Sequence, residues 1–181
     1  MNSSLSNIVT PLLNWYHTYA RTLPWQQSPS AYHIWVSEIM LQQTRVEAVK
    51  AYYNRFTAEL PTIADLAACQ EEKLLKLWEG LGYYNRVRNM QKAAIQVMTQ
   101  YHGEMPHSYE ELLKLPGIGS YTAGAVASIA YGIPVPAVDG NVLRVITRMT
   151  ANYGDITKQN TKDEITKQLQ AIMPKQHAGD F

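Results

Sequence analysis

Two carboxylates in unlike surroundings are the side chains of this chain best placed to do chemistry. Glu38 lies in a strongly apolar run, with Ile34, Trp35, Leu41 and Gln42 at helical spacing around it and no cation among them. A carboxyl held against Trp and Ile without a paired charge has its pKa raised by desolvation. Protonated near neutral pH, it can act as a general acid. The alternative is that Glu38 turns to water or to Arg45. Asp139 follows an extended stretch and precedes a helical one, where Asp is a common N-cap. The same position favours its anion, because helix N-termini attract negative charge. One neutral acid and one anion is the division of labour that cleaves a glycosidic bond through an oxocarbenium-like state.

A second stretch suits a nucleic-acid backbone. Leu112 to Leu115 reads as the end of a helix, and Pro116-Gly-Ile-Gly119 cannot continue it. Thr122 to Ala130 begins another. Gly117 and Gly119 let the backbone approach a ligand and leave the first N–H groups of the second helix free, around Ser120 and Thr122. Such a helix mouth cradles phosphate without Lys or Arg. A plain turn between packed helices is the other reading. Leu74-Leu-Lys-Leu-Trp-Glu-Gly-Leu-Gly-Tyr83 echoes the same pattern with a one-residue slip, either by coincidence or as a second turn facing one strand.

The elements that must hold these residues are all helical. The spacing predicts helices over Ile8 to Tyr19, Tyr32 to Gln43 (with Ser30 as N-cap after Pro29), Val46 to Leu60, Thr62 to Ala68 and Glu71 to Trp78. Further helices are predicted over Tyr84 to Tyr101, Tyr109 to Leu115 capped by Ser108, Gly140 to Ala151, and Gln159 to Met173. Val87, Met90, Ala94, Val97 and Met98 mark one buried stripe. Leu23 to Ser30 reads as a linker and Tyr131 to Val138 as an extended crossing. Nothing alternates with period two for long, so the fold class is all-α.

Composition narrows the class. The chain has 181 residues, 46% hydrophobic and 17% charged, enough for a real core. Sixteen Lys and Arg balance fifteen Asp and Glu, which excludes a strongly basic binder and leaves room for a local site. The one cysteine, Cys69, excludes an internal disulfide framework and any metal site of several thiolates; it reads as a small half-buried helix residue. The start lacks the basic and apolar regions of a secretory signal, and the stretch from Gly124 to Val138 is too short to span a bilayer. A soluble intracellular protein is expected, without membrane attachment.

Five segments occur in order: Leu23-Pro-Trp25, Trp35-Val-Ser-Glu-Ile-Met-Leu-Gln-Gln-Thr44, Trp78-Glu-Gly-Leu-Gly-Tyr-Tyr84, Leu115-Pro-Gly-Ile-Gly-Ser-Tyr121 and Val138-Asp-Gly-Asn-Val142. Together they closely resemble the adenine DNA glycosylases, the MutY family of helix-hairpin-helix glycosylases. The likeness runs from about Trp15 to the end of the chain. It implies a two-lobed helix-hairpin-helix DNA glycosylase fold, with a six-helix module at residues 29–131 and a second, incomplete helical lobe from 1–28 plus 132–181. It implies removal of adenine mispaired with 8-oxoguanine or guanine in duplex DNA, leaving an abasic site, by a monomeric bacterial protein of the cytoplasm and nucleoid. Glu38 would protonate the adenine ring. Asp139 would stabilise the deoxyribosyl cation, electrostatically or through a transient bond, with Asn141 and Tyr121 completing the catalytic set. Arg21, Leu23 and Trp25 match the adenine pocket, and Gln43 and Tyr83 match residues that wedge into the duplex as the base leaves the stack. Ordinary core packing is the competing role for Trp25 and Trp35. Gly117, Gly119, Ser120 and Thr122 would bind the DNA backbone, with a monovalent cation at the hairpin.

Tyr121 separates this family from the similar endonuclease III family, which places a lysine there; a phenol forms no Schiff base, so little lyase activity is expected. Family members continue past Phe181 into four cysteines that hold a [4Fe-4S] cluster and then into a domain that reads 8-oxoguanine. None of those cysteines falls within residues 1–181, so part of a longer protein is expected, weak in binding and turnover by itself. Without the closing helix the second lobe should expose apolar surface. Gln26 stands where relatives often carry Arg, which would remove a contact near the pocket or the DNA. The alternatives are a non-catalytic DNA-binding fragment and an endonuclease III-like enzyme acting on oxidised pyrimidines.

Overall fold

A computed structural model describes residues 3–27 and 30–181. The junction expected at Ser28 and Pro29 lies outside the described residues. The described elements are helical: α1 Ser3–Ser6, α2 Val9–Tyr19, α3 Ala31–Leu41, α4 Val46–Glu59, α5 Ile63–Ala68, α6 Glu71–Trp78, α7 Asn85–Gln100, α8 Tyr109–Leu112, α9 Ser120–Ala125, α10 Gly140–Thr150 and α11 Gln159–Gln170. None of them is long and apolar enough to cross a membrane.

Local chemistry explains several boundaries. Ser30 accepts the His33 N–H and starts α3. Thr62 and Asp65 form a reciprocal capping box on α5. Glu71 and Glu72 open α6 and Lys76 lies in its last turn, each charge complementing the helix dipole. Ser108 caps α8, which ends at Leu112, earlier than expected.

Among the described residues, most buried apolar side chains fall into two clusters. The larger gathers α3 to α9 around Trp35, Phe56 and Trp78, and α3 is nearly all interior, with Tyr32 and Ile34 to Met40 buried. Side chains of this size each contribute ~1.5–3 kcal/mol when removed from water. The smaller cluster has Leu5, Leu143, Ile146, Ile165 and Leu169 at its centre, drawn from α1, α10 and α11. Trp25, expected with the N-terminal helix, instead packs in the larger core with its ring 5.4 Å from that of Tyr53. The expected linker around it contains a 3-10 turn, Pro24–Gln26, and Gln26 ties that turn together by accepting the Leu23 N–H and donating to the Tyr16 hydroxyl. Its role is therefore local.

Three further differences have plain causes. Met98 is exposed, because Val87, Met90, Ala94 and Val97 already follow the 3–4 spacing and position 98 lies one step round the helix. α2 buries none of its residues, and Trp15 is 57% exposed. Its apolar side joins α10 in a groove of about 770 Å³ whose walls include Ile8, Leu12, Trp15, Val145 and Met149. Apolar surface on α2 and α10 is thus left exposed. Last, α9 does not run on as α-helix; Val126–Ala130 forms a π turn. Here the backbone is tightly enclosed. A Cβ on Gly124 would sit 2.6 Å from the Pro136 carbonyl, and one on Gly179 would sit 2.7 Å from Ile129 Cα. The C-terminal segment is also tied to α2, since Asp180 lies 3.0 Å from His17 and 3.1 Å from His177.

Candidate active-site cleft

α3, α9 and the start of α10 converge on one cleft of about 660 Å³, walled by Glu38, Gln43, Tyr83, Tyr121, Asp139 and Asn141, with Arg86 at its edge. That volume suits a small-molecule-sized guest, for which ~300–1,000 Å³ is usual. Glu38 and Asp139 are 101 positions apart in sequence (139 − 38) and meet here.

Glu38 is buried within α3, only 9% exposed. Desolvation raises its pKa, the Tyr121 hydroxyl partly opposes this by donating a hydrogen bond, and the Asp139 charge pushes the pKa further up. Arg45 makes no contribution to that balance, so the expected alternative partner is not engaged. The Tyr121 hydroxyl, on the first turn of α9, is held far above the usual phenol range by burial and by the neighbouring Glu38 and Asp139 carboxylates. It is a donor that stays protonated. Asp139 caps α10: Oδ1 accepts the Val142 N–H at 2.8 Å and Oδ2 accepts from Asn141 Nδ2 at 2.9 Å. The side chain is thus fixed with an oxygen on each donor while the residue still lines the opening.

Gln43 and Tyr83 are exposed at the cleft and share an unusual backbone, with φ of 59° and 47°. Non-glycine residues seldom occupy this region, and they persist there only when the surroundings hold them. Arg21, Leu23 and Trp25 do not line the cleft. Arg21 is exposed, Leu23 is half-buried against the larger core, and Trp25 is inside it.

At the hairpin, Gly117 has φ of 77°, and a Cβ there would meet the Cβ of Asn89 at 2.8 Å. Gly119 has an extended backbone, φ −94°, with open space where its Cβ would be. Only the first of the two glycines is therefore required by backbone angle. Gly119 brings no side-chain cap, so the N–H groups of Ser120, Tyr121 and Thr122 lack an intrahelical acceptor. Ser120 is exposed, whereas the Thr122 side chain is buried and can offer only its backbone N–H. The echo at Gly80 and Gly82 is a different turn, with both glycines left-handed at φ of 98° and 67°. Both turns nonetheless rest on the first half of α7, one at Arg86 and one at Asn89.

Arg86 was not foreseen from the sequence. The available signal was a cation at the second position of α7, where it opposes the helix dipole. Cys69 follows α5 directly as its C-cap, half-buried, and a single thiol does not fit an iron–sulfur cluster, which takes four protein ligands. A hairpin cation would rest on turn carbonyls, of which those of Leu112 and Leu115 already accept N–H groups.

An all-helical fold with a glycine hairpin beside an acid-lined cleft defines a class. The chain belongs to the HhH-GPD superfamily of base excision DNA repair proteins, whose profile matches residues 36–175. Within it, the chain is 42% identical over 173 residues to the adenine DNA glycosylase of Buchnera aphidicola subsp. Baizongia pistaciae, covering 94% of this chain and 48% of that one. It is 41% identical over 179 residues to the adenine DNA glycosylase of Homo sapiens, covering 94% and 33%. The chain thus spans half or less of the length of these curated relatives. Among solved structures it resembles a thermostable thymine-DNA glycosylase (TM-score 0.88, 25% identity, 99% of this chain and 83% of that one). It also resembles endonuclease III in a non-covalent DNA complex (TM-score 0.79, 28% identity, 99% and 82%).

Proposed function

We propose that this chain excises adenine mispaired with 8-oxoguanine or guanine in duplex DNA, within two lobes at 29–131 and 1–28 plus 132–181. The observation that carries the reading is the meeting of a buried Glu38 and a capped Asp139 across one cleft, with the Tyr121 hydroxyl on Glu38. Glu38 gives its proton to a ring nitrogen of the extruded adenine. The bond from that base to the sugar then breaks, and its electron pair leaves with the neutral adenine. The deoxyribosyl cation is stabilised by the Asp139 carboxylate. Water adds to the anomeric carbon and gives a proton to the Glu38 carboxylate, which restores the acid and leaves an abasic site. Asn141 steadies Asp139, and Gln43 and Tyr83 fill or kink the duplex where the base has left. Leu23 and Trp25 support the elements around the cleft from the larger core, and Arg21 lies outside the cleft.

The test is single-turnover incubation with duplexes carrying adenine opposite 8-oxoguanine or guanine, read as alkali-labile sites and as free adenine. Release from both, with no borohydride-trapped adduct, is expected, because the phenol of Tyr121 cannot form a Schiff base. Failure to release adenine from either duplex, or a trapped adduct formed as fast as the base is lost, would overturn the reading.

The hairpin gives a paired expectation. Gly119→Ala should leave the melting temperature nearly unchanged yet weaken DNA binding, since its methyl enters the space before the free N–H groups. Gly117→Ala should destabilise the fold by ~1–2 kcal/mol from its backbone angle alone, with the Asn89 contact adding to this. Thermal melts and duplex titrations on the two variants check the contrast.

A further inference from the structure

Arg86 has no ion-pair partner among the described residues. Its guanidinium is spent on backbone carbonyls of two separate segments. Nη1 donates to Ile39 at 2.9 Å, Met40 at 3.4 Å and Gln42 at 2.6 Å. Nη2 donates to Leu81 at 3.0 Å and Gly82 at 3.2 Å. The first three carbonyls close the C-terminal end of α3, where no intrahelical N–H remains. The other two form the glycine turn after α6. The residue that follows the first segment is Gln43, and the residue that follows the second is Tyr83. Both are left-handed, both are exposed, and both line the cleft. The guanidinium carbon also lies 5.6 Å from the centre of the Tyr83 ring.

On the glycosylase reading of the cleft, we propose that Arg86 is a positioning residue that clamps the end of α3 to the glycine turn, holding Gln43 and Tyr83 preformed to enter the duplex as the target base leaves. A left-handed backbone at a non-glycine residue needs such outside support. Two such residues on one cleft are served by one planar fork with donors on two nitrogens. Lysine has its donors on a single atom and cannot span both segments in this way. The clamp assists extrusion and leaves proton transfer to Glu38.

The test compares the full chain with Arg86→Lys and Arg86→Met on two duplexes, one with adenine paired opposite guanine and one with adenine in an unpaired bulge. Extrusion is read separately by 2-aminopurine fluorescence at the target position. Arg86→Lys should lose about 10- to 100-fold in extrusion and release on the paired duplex. On the bulge it should lose much less, and the pH profile of release should keep its shape. In a Tyr83→Ala background the same substitution should add little. Equal losses on both duplexes with parental fluorescence, or losses that multiply with Tyr83→Ala, would overturn the clamp. If Arg86→Met does not fold, Arg86→Lys decides; a lysine variant that also unfolds, or that keeps parental rates, overturns the proposal. A parent that releases no adenine rejects the glycosylase reading instead, and the fluorescence still judges Arg86.

Discussion

Glu38→Gln abolishes adenine release while duplex binding persists: that is the expected result of removing the one buried acid in the cleft. Glutamine has the same shape and still accepts from the Tyr121 hydroxyl, but its amide carries no transferable proton. General acid catalysis is worth ~10²–10⁴ in rate, so single-turnover release should fall by about that factor. The parent should slow as pH rises through the elevated pKa of Glu38, whose first cause is burial, and residual activity of the variant should lack that limb. The substitution moves stability the other way from rate. A carboxyl whose pKa is raised by folding supports the fold fully below its unfolded value, and that support is lost as pH rises through the folded value. Glu38→Gln should therefore melt close to the parent in acid and above it at pH 8. A gain of ~1 kcal/mol corresponds to about 2–4 °C for a domain of this size. Equal release by the variant and the parent would remove Glu38 from the chemistry.

Asp139→Asn should be nearly as damaging to rate and nearly silent in stability. Asparagine caps a helix as well as aspartate does, so the Val142 N–H keeps an acceptor and α10 keeps its start. What disappears is the negative charge beside the developing cation. Preorganised electrostatic groups of this kind are worth ~10²–10³ in rate. Asp139→Ala removes charge and cap together, and should cost ~0.5–2 kcal/mol of stability as well. The difference between the two variants in a melt isolates the cap, and their shared loss of release isolates the charge. The Asp139 charge also helps to raise the Glu38 pKa. In Asp139→Asn the pH at which release declines should thus move toward acid. A decline that stays in place, in a variant that binds DNA normally, would mean that the two carboxylates do not sense each other.

Much of this was legible in the sequence because it is local. The helix start at Thr62, the bounds of α6, the cap at Asp139 and the apolar flanks of Glu38 are all set within four or five residues. The π turn after Ala125 was not legible, since it belongs to a backbone enclosed by Pro136 on one side and Gly179 on the other. Of the two roles open to Trp25 the structure shows core packing, and its partner there, Tyr53, lies too far along the chain to be read locally. The backbone of Gln43 and Tyr83 was hidden for the same reason. Neither residue type announces a left-handed angle, and the side chain that supports both approaches from α7, with carbonyl partners up to 47 positions away.

Glu38 and Asp139 are anchored in different clusters, one with three of the four tryptophans and one with few buried side chains. Indole fluorescence on heating therefore reports chiefly on the half that carries Glu38. The half that carries Asp139 has the 57% exposed Trp15 as its indole, so its loosening registers weakly, and base excision should fail at a lower temperature than the main optical transition.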